Sequence, residues 1–101
     1  MAINSISRFA PPVLSNLTEL GKRVSASRKI QKLTQADLAA MAGVGRSTLT
    51  EIEKGSPFVA IGNYLSVMWA LGIMADILAT DMTEDERRLM ASELPKRVRR
   101  G

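Results

Sequence analysis

The polar run from Arg46 to Glu51 carries the side chains that are best suited to recognition chemistry. Arginine can donate two hydrogen bonds to guanine, serine and threonine can bond to bases or phosphates, and glutamate can accept from cytosine. Leu49 and Ile52 stand three positions apart, which predicts a helix with one buried and one exposed face. The candidate DNA contacts are Arg46, Ser47, Thr48, Thr50 and Glu51, with Lys54 just after them.

Several of these residues have a second interpretation. Arg46 either reads a base or contacts phosphate alone. Thr50 and Glu51 either face the groove or are ordinary exposed helix residues. Lys54 either contacts phosphate or complements the negative end of its helix.

The sequence Gly43-Val44-Gly45 comes immediately before this run and also has two interpretations. It could be a nucleotide-binding loop or a tight turn between two helices. A phosphate loop would follow a strand and have a lysine after its last glycine. Here a helical pattern precedes the glycines and Arg46 follows them, so we interpret the segment as the turn of a helix-turn-helix.

The composition excludes several classes of function. The 101 residues fit one domain, and the absence of Cys and His rules out a disulfide framework, a Cys/His metal site and catalysis by a Cys nucleophile or His base. Glu51 and Glu53 are two apart and point to different sides of a helix. We therefore expect no enzymatic activity, no metal and no cofactor. Lacking a membrane-length apolar run and a signal peptide, the chain is predicted to be cytoplasmic.

Charge is distributed in blocks within a net charge of +4. Residues 22–32 hold five basic residues and no acid, residues 76–93 carry a net charge of −4, and the last seven residues carry +4. Such blocks indicate separate partner surfaces, or else solvated helix faces and a frayed tail.

The coarse pattern is all-helical. Residues 1–12 are expected to be irregular because of the Pro11-Pro12 pair, and a first helix is expected to start at about Val13 or Ser15 and end at Lys32. Thr34 is a suitable N-cap for a second helix, with Asp37 in its first turn and Gly43 at its end.

Further helices are expected from Arg46 to Lys54, across 61–71, briefly across 73–79 and near the C-terminus. Gly55 and Gly72 are expected to end the first two of these. Thr83 and Glu86 have the spacing of a capping box, which marks the start of the last helix.

The motifs LTQADLA, GVGRSTLTEIEKG and ALGI, at their spacings within residues 20–73, resemble the Xre-type helix-turn-helix domain of phage Cro and repressor proteins. The resemblance implies an all-α, five-helix DNA-binding domain with a short N-terminal arm and a C-terminal helix plus basic tail. The expected divisions are 1–13 for the arm, 14–80 for the domain, 81–94 for the C-terminal helix and 95–101 for the tail.

The resemblance also assigns roles to individual residues. It implies that Gln35 braces both a phosphate and a side chain, and that Arg28 and Glu53 form a structural pair. Ser27 departs from the family pattern, where a large apolar residue is usual, so the packing at this turn of the helix is in question.

The sequence IGNYLSVMWAL, residues 61–71, is apolar at most positions. Leu65, Met68 and Leu71 can face inward, which leaves Val67, Trp69 or Met74 facing elsewhere. We expect these residues to form a homodimer or partner interface, matching a palindromic double-stranded operator. The alternative is that the N-terminal arm or the last helix covers them.

The stretch YLSVMWALGI together with the closing LPKRVRR is similar to antitoxins of the HipB type. This similarity implies a repressor that regulates its own toxin–antitoxin operon and binds a HipA-like kinase toxin. The alternative is a stand-alone phage-type Xre repressor. Three alternatives stand for the basic tail of the chain: it clasps DNA, docks on an acidic surface of the toxin or stays disordered.

Overall fold

A computed structural model of the chain describes residues 8–74 and 82–93. Within these ranges the chain forms α-helices and no strand, which confirms the expected all-α class. The short helix expected across 73–79 and the tail at 95–101 lie wholly or largely outside the described residues. The helices are α1 (Pro11–Ile30), α2 (Gln35–Ala42), α3 (Arg46–Glu53), α4 (Ile61–Leu71) and α5 (Glu84–Glu93).

Helix α1 begins at Pro11 and ends at Ile30, so the expected start at Val13 or Ser15 was wrong. The two prolines occupy the first two helical positions, after an extended Ala10. Proline suits these positions because its fixed φ is already helical and the N–H that it lacks would have no partner there. The prolines therefore start the helix, whereas we had placed them in an irregular arm.

The first four helices end in the same way. One or two residues past the end of each helix, a residue adopts a left-handed conformation. Its own backbone N–H and that of the following residue donate to carbonyl oxygens of the last turn, as in a Schellman motif. Gly43, Gly55 and Gly72 provide this conformation after α2, α3 and α4, which confirms the three expected glycine ends. Lys32 provides it after α1, with φ 62°.

Helix α2 has a complete capping box. The Thr34 hydroxyl accepts a hydrogen bond from the Asp37 N–H at 3.0 Å, and the Asp37 carboxylate accepts one from the Thr34 N–H at 2.9 Å. Hydrogen bonding with Thr34 lowers the pKa of Asp37. Thr83 and Glu86 form the same reciprocal pair before α5, as predicted.

The core lies between α1, α2, α3 and α4. Val24 of α1 and Leu49 and Ile52 of α3 are completely buried. Ile30, the last residue of α1, is 79% exposed, whereas Leu33 packs at the edge of the core. The buried set is Val24, Leu38, Ala39, Leu49, Ile52, Tyr64, Val67, Met68 and Leu71.

Helix α4 buries a different face from the expected one. Val67 is 0% exposed, so its assignment to an outward interface was wrong. Leu65 is only half-buried, although we expected it to face inward, whereas Met68 and Leu71 are buried as predicted. The reason is that α1, α2 and α3 all pack against the side of α4 that carries Tyr64, Val67 and Leu71.

Helices α1 and α3 touch through their backbones. A Cβ atom added at Gly21 would lie 2.5 Å from the Glu53 carbonyl oxygen and 2.7 Å from that of Ile52. A Cβ at Gly55 would lie 2.7 Å from the Leu17 carbonyl oxygen. Only glycine permits this approach, because backbone atoms cannot move aside as the end of a flexible side chain can.

None of the described helices is long and apolar enough to cross a membrane.

Replacing Gly21 with alanine should lower the free energy of unfolding by about 1–3 kcal/mol, because the added methyl group overpacks against the backbone of α3. Urea denaturation followed by circular dichroism measures this change. The control is Asn16→Ala, at an exposed position on the same helix, for which we expect a change within about 0.5 kcal/mol. Equal stability of the two variants would contradict the close contact.

Candidate nucleic-acid interface

The N-terminus of α3 is open to a ligand, unlike that of α2. Gly45 precedes α3 in an extended conformation, offers no side-chain cap, and is followed by no acidic residue in the first turn. The first backbone N–H groups of a helix have no partner within it, and its dipole favours an anion at this end. The α3 N-terminus is therefore suited to a phosphate group.

Helix α3 has the two faces that its sequence predicts. Leu49 and Ile52 are completely buried, whereas Arg46, Ser47 and Glu51 are exposed. Thr48 and Thr50 are half-buried at the border between the faces. The arrangement presents a guanidinium, hydroxyl groups and a carboxylate on one exposed side of a single helix. Whether these residues contact DNA stays a prediction.

Thr50 has a restricted set of hydrogen bonds. Its hydroxyl donates to the Arg46 carbonyl oxygen one turn earlier, at 3.1 Å. With the donor used within the helix, Thr50 can offer a ligand only its oxygen lone pairs and its methyl group. These groups fit a base amino group or the thymine methyl better than a phosphate oxygen.

Lys54 lies beside Glu51 at the end of α3. Its Nζ atom is 3.8 Å from a Glu51 carboxylate oxygen, and both side chains are largely exposed, at 70% and 52%. An exposed pair of this kind stabilises a protein by at most about 1 kcal/mol, so either charge is free to turn toward DNA. The contact of Lys54 with phosphate stays a prediction.

Glu53 connects α3 to both preceding helices. Its carboxylate accepts hydrogen bonds from Arg28 Nε at 2.7 Å and Arg28 Nη2 at 3.2 Å, and from Gln35 Nε2 at 3.1 Å. The Arg28 and Glu53 side chains are only 11% and 10% exposed. The hydrogen bond to Glu53 raises the pKa of Arg28. The structural pair that the resemblance implied is therefore present.

Gln35 forms half of its expected contacts. Its side-chain amide braces Glu53, as the resemblance implied, while its contact with phosphate stays a prediction. Arg28 also donates to the Leu33 carbonyl oxygen at 3.0 Å, which ties the turn before α2 to the same cluster. The glutamate, the arginine and the glutamine thus position α2 against α3.

The sequence did not reveal three hydrogen bonds that support this arrangement. Gln31 Nε2 donates to the Leu71 carbonyl oxygen at 3.1 Å and to Ser27 Oγ at 3.3 Å, which gives Ser27 a polar role where the family pattern has an apolar side chain. The Tyr64 hydroxyl donates to the Ser56 carbonyl oxygen at 2.6 Å. Burial raises the pKa of Tyr64. A buried tyrosine hydroxyl usually has a hydrogen-bond acceptor. The tyrosine within the apolar sequence of α4 was therefore the one sign in the sequence that such a contact exists.

The geometry is that of a helix-turn-helix protein, in which the short turn at Gly43–Gly45 joins α2 to α3. A family profile described as helix-turn-helix matches residues 24–57, which include both helices and the turn. The chain is 43% identical over 61 residues to an uncharacterized HTH-type transcriptional regulator, y4mF, of Sinorhizobium fredii, covering 60% of this chain and 80% of that protein.

A second relative is the immunity repressor protein of Bacillus phage phi105, which is 36% identical over 64 residues. That match covers 63% of this chain but only 44% of the repressor, so the chain spans less than half the length of the phage protein. No solved structure matches the chain. The chain belongs to the helix-turn-helix family of transcriptional regulators.

Replacing Glu53 with alanine should lower the free energy of unfolding by about 3–5 kcal/mol, because it leaves the Arg28 charge buried without its partner. A thermal melt measures the loss, and DNA binding should fail mainly because the protein unfolds. Glu51→Ala is the matched control, since it removes an exposed carboxylate from the same helix and should change stability by less than about 1 kcal/mol. A melting temperature of Glu53→Ala equal to that of the wild type would disprove the role of the cluster.

Proposed function

We propose that this protein is a cytoplasmic transcriptional repressor that binds a specific double-stranded DNA sequence through α3. The observation that carries the proposal is the combination, on one short helix, of exposed side chains that can hydrogen-bond to bases and an N-terminus without a side-chain cap. The Glu53 cluster supports it, because a recognition helix must be held rigidly to read bases.

In this proposal α3 lies in the major groove while α2 crosses the phosphate backbone. Arg46 and Ser47, at the start of α3, reach the base edges first, and Thr48, Thr50 and Glu51 follow along the helix. Gln35 and Lys54 lie toward the flanking phosphates. Two copies of the chain would bind the two halves of a palindromic operator about one helical turn apart.

Replacing Arg46 with alanine should weaken binding to the operator by about 1–3 kcal/mol and weaken nonspecific binding less. Footprinting on the upstream region of the protein's own gene would locate the operator, and titrations on operator and unrelated duplexes would measure the two affinities. Arg88→Ala on α5 is the matched control, because it removes the same charge away from α3. An equal loss on both duplexes would reduce Arg46 to a phosphate contact.

A second part of the proposal is that the protein is an antitoxin, which represses its own operon and neutralises a HipA-like kinase toxin. One support is the similarity of residues 64–73 and of the closing LPKRVRR to HipB-type antitoxins. The other is the exposed apolar side of α4, which is unsuited to contact with DNA. The alternative is a stand-alone repressor of the phage type.

If the antitoxin proposal is correct, a kinase-like gene should adjoin the gene for this protein. The two products, expressed together, should then purify as a stable complex, and the antitoxin should relieve growth arrest caused by the kinase. Arg46→Ala should keep this protection while its operator binding is weakened. The absence of such a neighbouring gene would leave the phage-type repressor as the function.

A further inference from the structure

Thr50 lies beside the two residues that begin α3. It follows Arg46 by four positions and Ser47 by three, so the three side chains share one side of the helix. Arg46 and Ser47 are exposed, and Thr50 is half-buried. Four residues of helix rise about 6 Å, and successive base pairs are about 3.4 Å apart. In the major groove Thr50 would therefore face a base pair close to the one that Arg46 faces.

The hydroxyl group of Thr50 is engaged within its own helix. It donates to the Arg46 carbonyl oxygen at 3.1 Å. This bond holds the side chain in one staggered rotamer, with the oxygen against the preceding turn. The methyl group on the same carbon atom is therefore held in a fixed direction, away from the carbonyl oxygen that the hydroxyl meets.

Within α3, Thr50 is the residue best placed to meet an apolar group in the groove. The exposed side chains of Arg46, Ser47 and Glu51 end in polar groups, and the leucine and isoleucine of the helix are completely buried. Thr48 is also half-buried, but it is two residues from Thr50 and so lies on the opposite border of the exposed face. The methyl group of Thr50 is therefore the apolar group that lies next to the first polar residues of α3.

A methyl group in the major groove identifies the base that carries it. Thymine presents its C5-methyl group there, and apolar contact with the methyl group of a threonine is one way in which proteins recognise it. Uracil and cytosine lack this group, whereas 5-methylcytosine carries it at the same ring position. A contact with the methyl group alone therefore separates methylated from unmethylated pyrimidines, whatever hydrogen bonds their other atoms form.

We propose that Thr50 recognises the 5-methyl group of one pyrimidine in each half of the operator, which in unmodified DNA is thymine. The competing contact is a hydrogen bond from a base amino group to the Thr50 oxygen. It requires an approach to about 2.9 Å of an oxygen that lies against the helix backbone, whereas apolar groups are in contact at about 4 Å. The methyl contact therefore needs a less close approach of α3 to the bases.

This inference rests on the proposed function and names one chemical group that α3 reads. It also makes operator binding responsive to base modification. Where cytosine replaces the recognised thymine, the contact is lost, and methylation of the cytosine C5 atom restores it. The ligand of Thr50 is thus a 5-methylpyrimidine rather than one particular base.

The experiment replaces the thymines of the footprinted operator with uracil, one position at a time, in fluorescently labelled duplexes. Each replacement removes a single methyl group and leaves the base pairing unchanged. For one thymine in each half-site we expect wild-type binding to weaken about fourfold, the ratio that corresponds to one methylene-sized apolar group. Fluorescence anisotropy titrations measure the dissociation constants of the paired duplexes.

Three variants assign the effect to one group of one residue. Thr50→Ser keeps the hydroxyl and its bond to Arg46 but removes the methyl group, so it should bind the thymine and uracil duplexes equally. Thr50→Val keeps a methyl group and should still prefer thymine. Thr48→Ser is the matched control, since it removes the same group from the other border of α3 and should keep the preference. The ratio of the two affinities is unaffected by a variant that is partly unfolded.

A second pair of duplexes tests recognition of the methyl group on a different base. Both carry a G·C pair in place of the recognised T·A pair, with cytosine in one duplex and 5-methylcytosine in the other. The wild type should bind the methylated duplex about fourfold more tightly, again the ratio for one methylene-sized group. Thr50→Ser should bind the two equally.

The inference would be overturned by a wild type that prefers thymine to uracil at no position, or by a preference that Thr50→Ser leaves unchanged. A preference lost in Thr50→Val but kept in Thr50→Ser would assign the contact to the hydroxyl group and also overturn it. An operator that shows no methyl dependence would refute this inference and leave the proposed function standing. A wild type that binds operator and unrelated duplexes equally would refute the proposed function, and the inference with it.

Discussion

The fold depends on one carboxylate, that of Glu53. It is almost buried, so it must be fully hydrogen-bonded, and its partners come from two other helices: Arg28 from α1 and Gln35 from α2. Helices α2 and α3 have eight residues each, a length at which an isolated helix is marginal in water. The cluster therefore holds these short helices in an orientation that neither could maintain alone. It also fixes the direction in which the open N-terminus of α3 points.

A second constraint acts at shorter range. At Gly21 and Gly55 the backbones of α1 and the end of α3 touch without side chains between them. This contact sets the distance between the two helices, while the hydrogen bonds of Glu53 set their register. Since a side chain at Gly21 would push α3 outward, the long α1 helix acts as the platform on which α3 rests. Leu17 and Leu20 of α1 also line an apolar groove between α1 and α4.

Features that depend on neighbours three or four residues away could be predicted from the sequence: the Thr34 cap, the glycine helix ends and the exposure of Arg46, Ser47 and Glu51 around buried Leu49 and Ile52. The inward face of α4 could not, because a helix that is apolar on most sides has no periodicity to choose between Leu65 and Val67. Only the packing of three other helices decides it. The contact of Gly21 with Glu53 joins residues far apart in the chain, and no local pattern marks it.

The four helix ends of the domain share one geometry but not one residue. After α2, α3 and α4 the left-handed residue is glycine, which adopts that conformation freely, whereas after α1 it is Lys32. An ordinary side chain in this conformation costs roughly 1–2 kcal/mol. Among the helix ends of the described domain, the end of α1 is therefore the one at which glycine would be more favourable than the residue present. Lys32 instead places a positive charge two residues before Thr34, the N-cap of α2, so at this turn a surface charge is kept at the expense of stability.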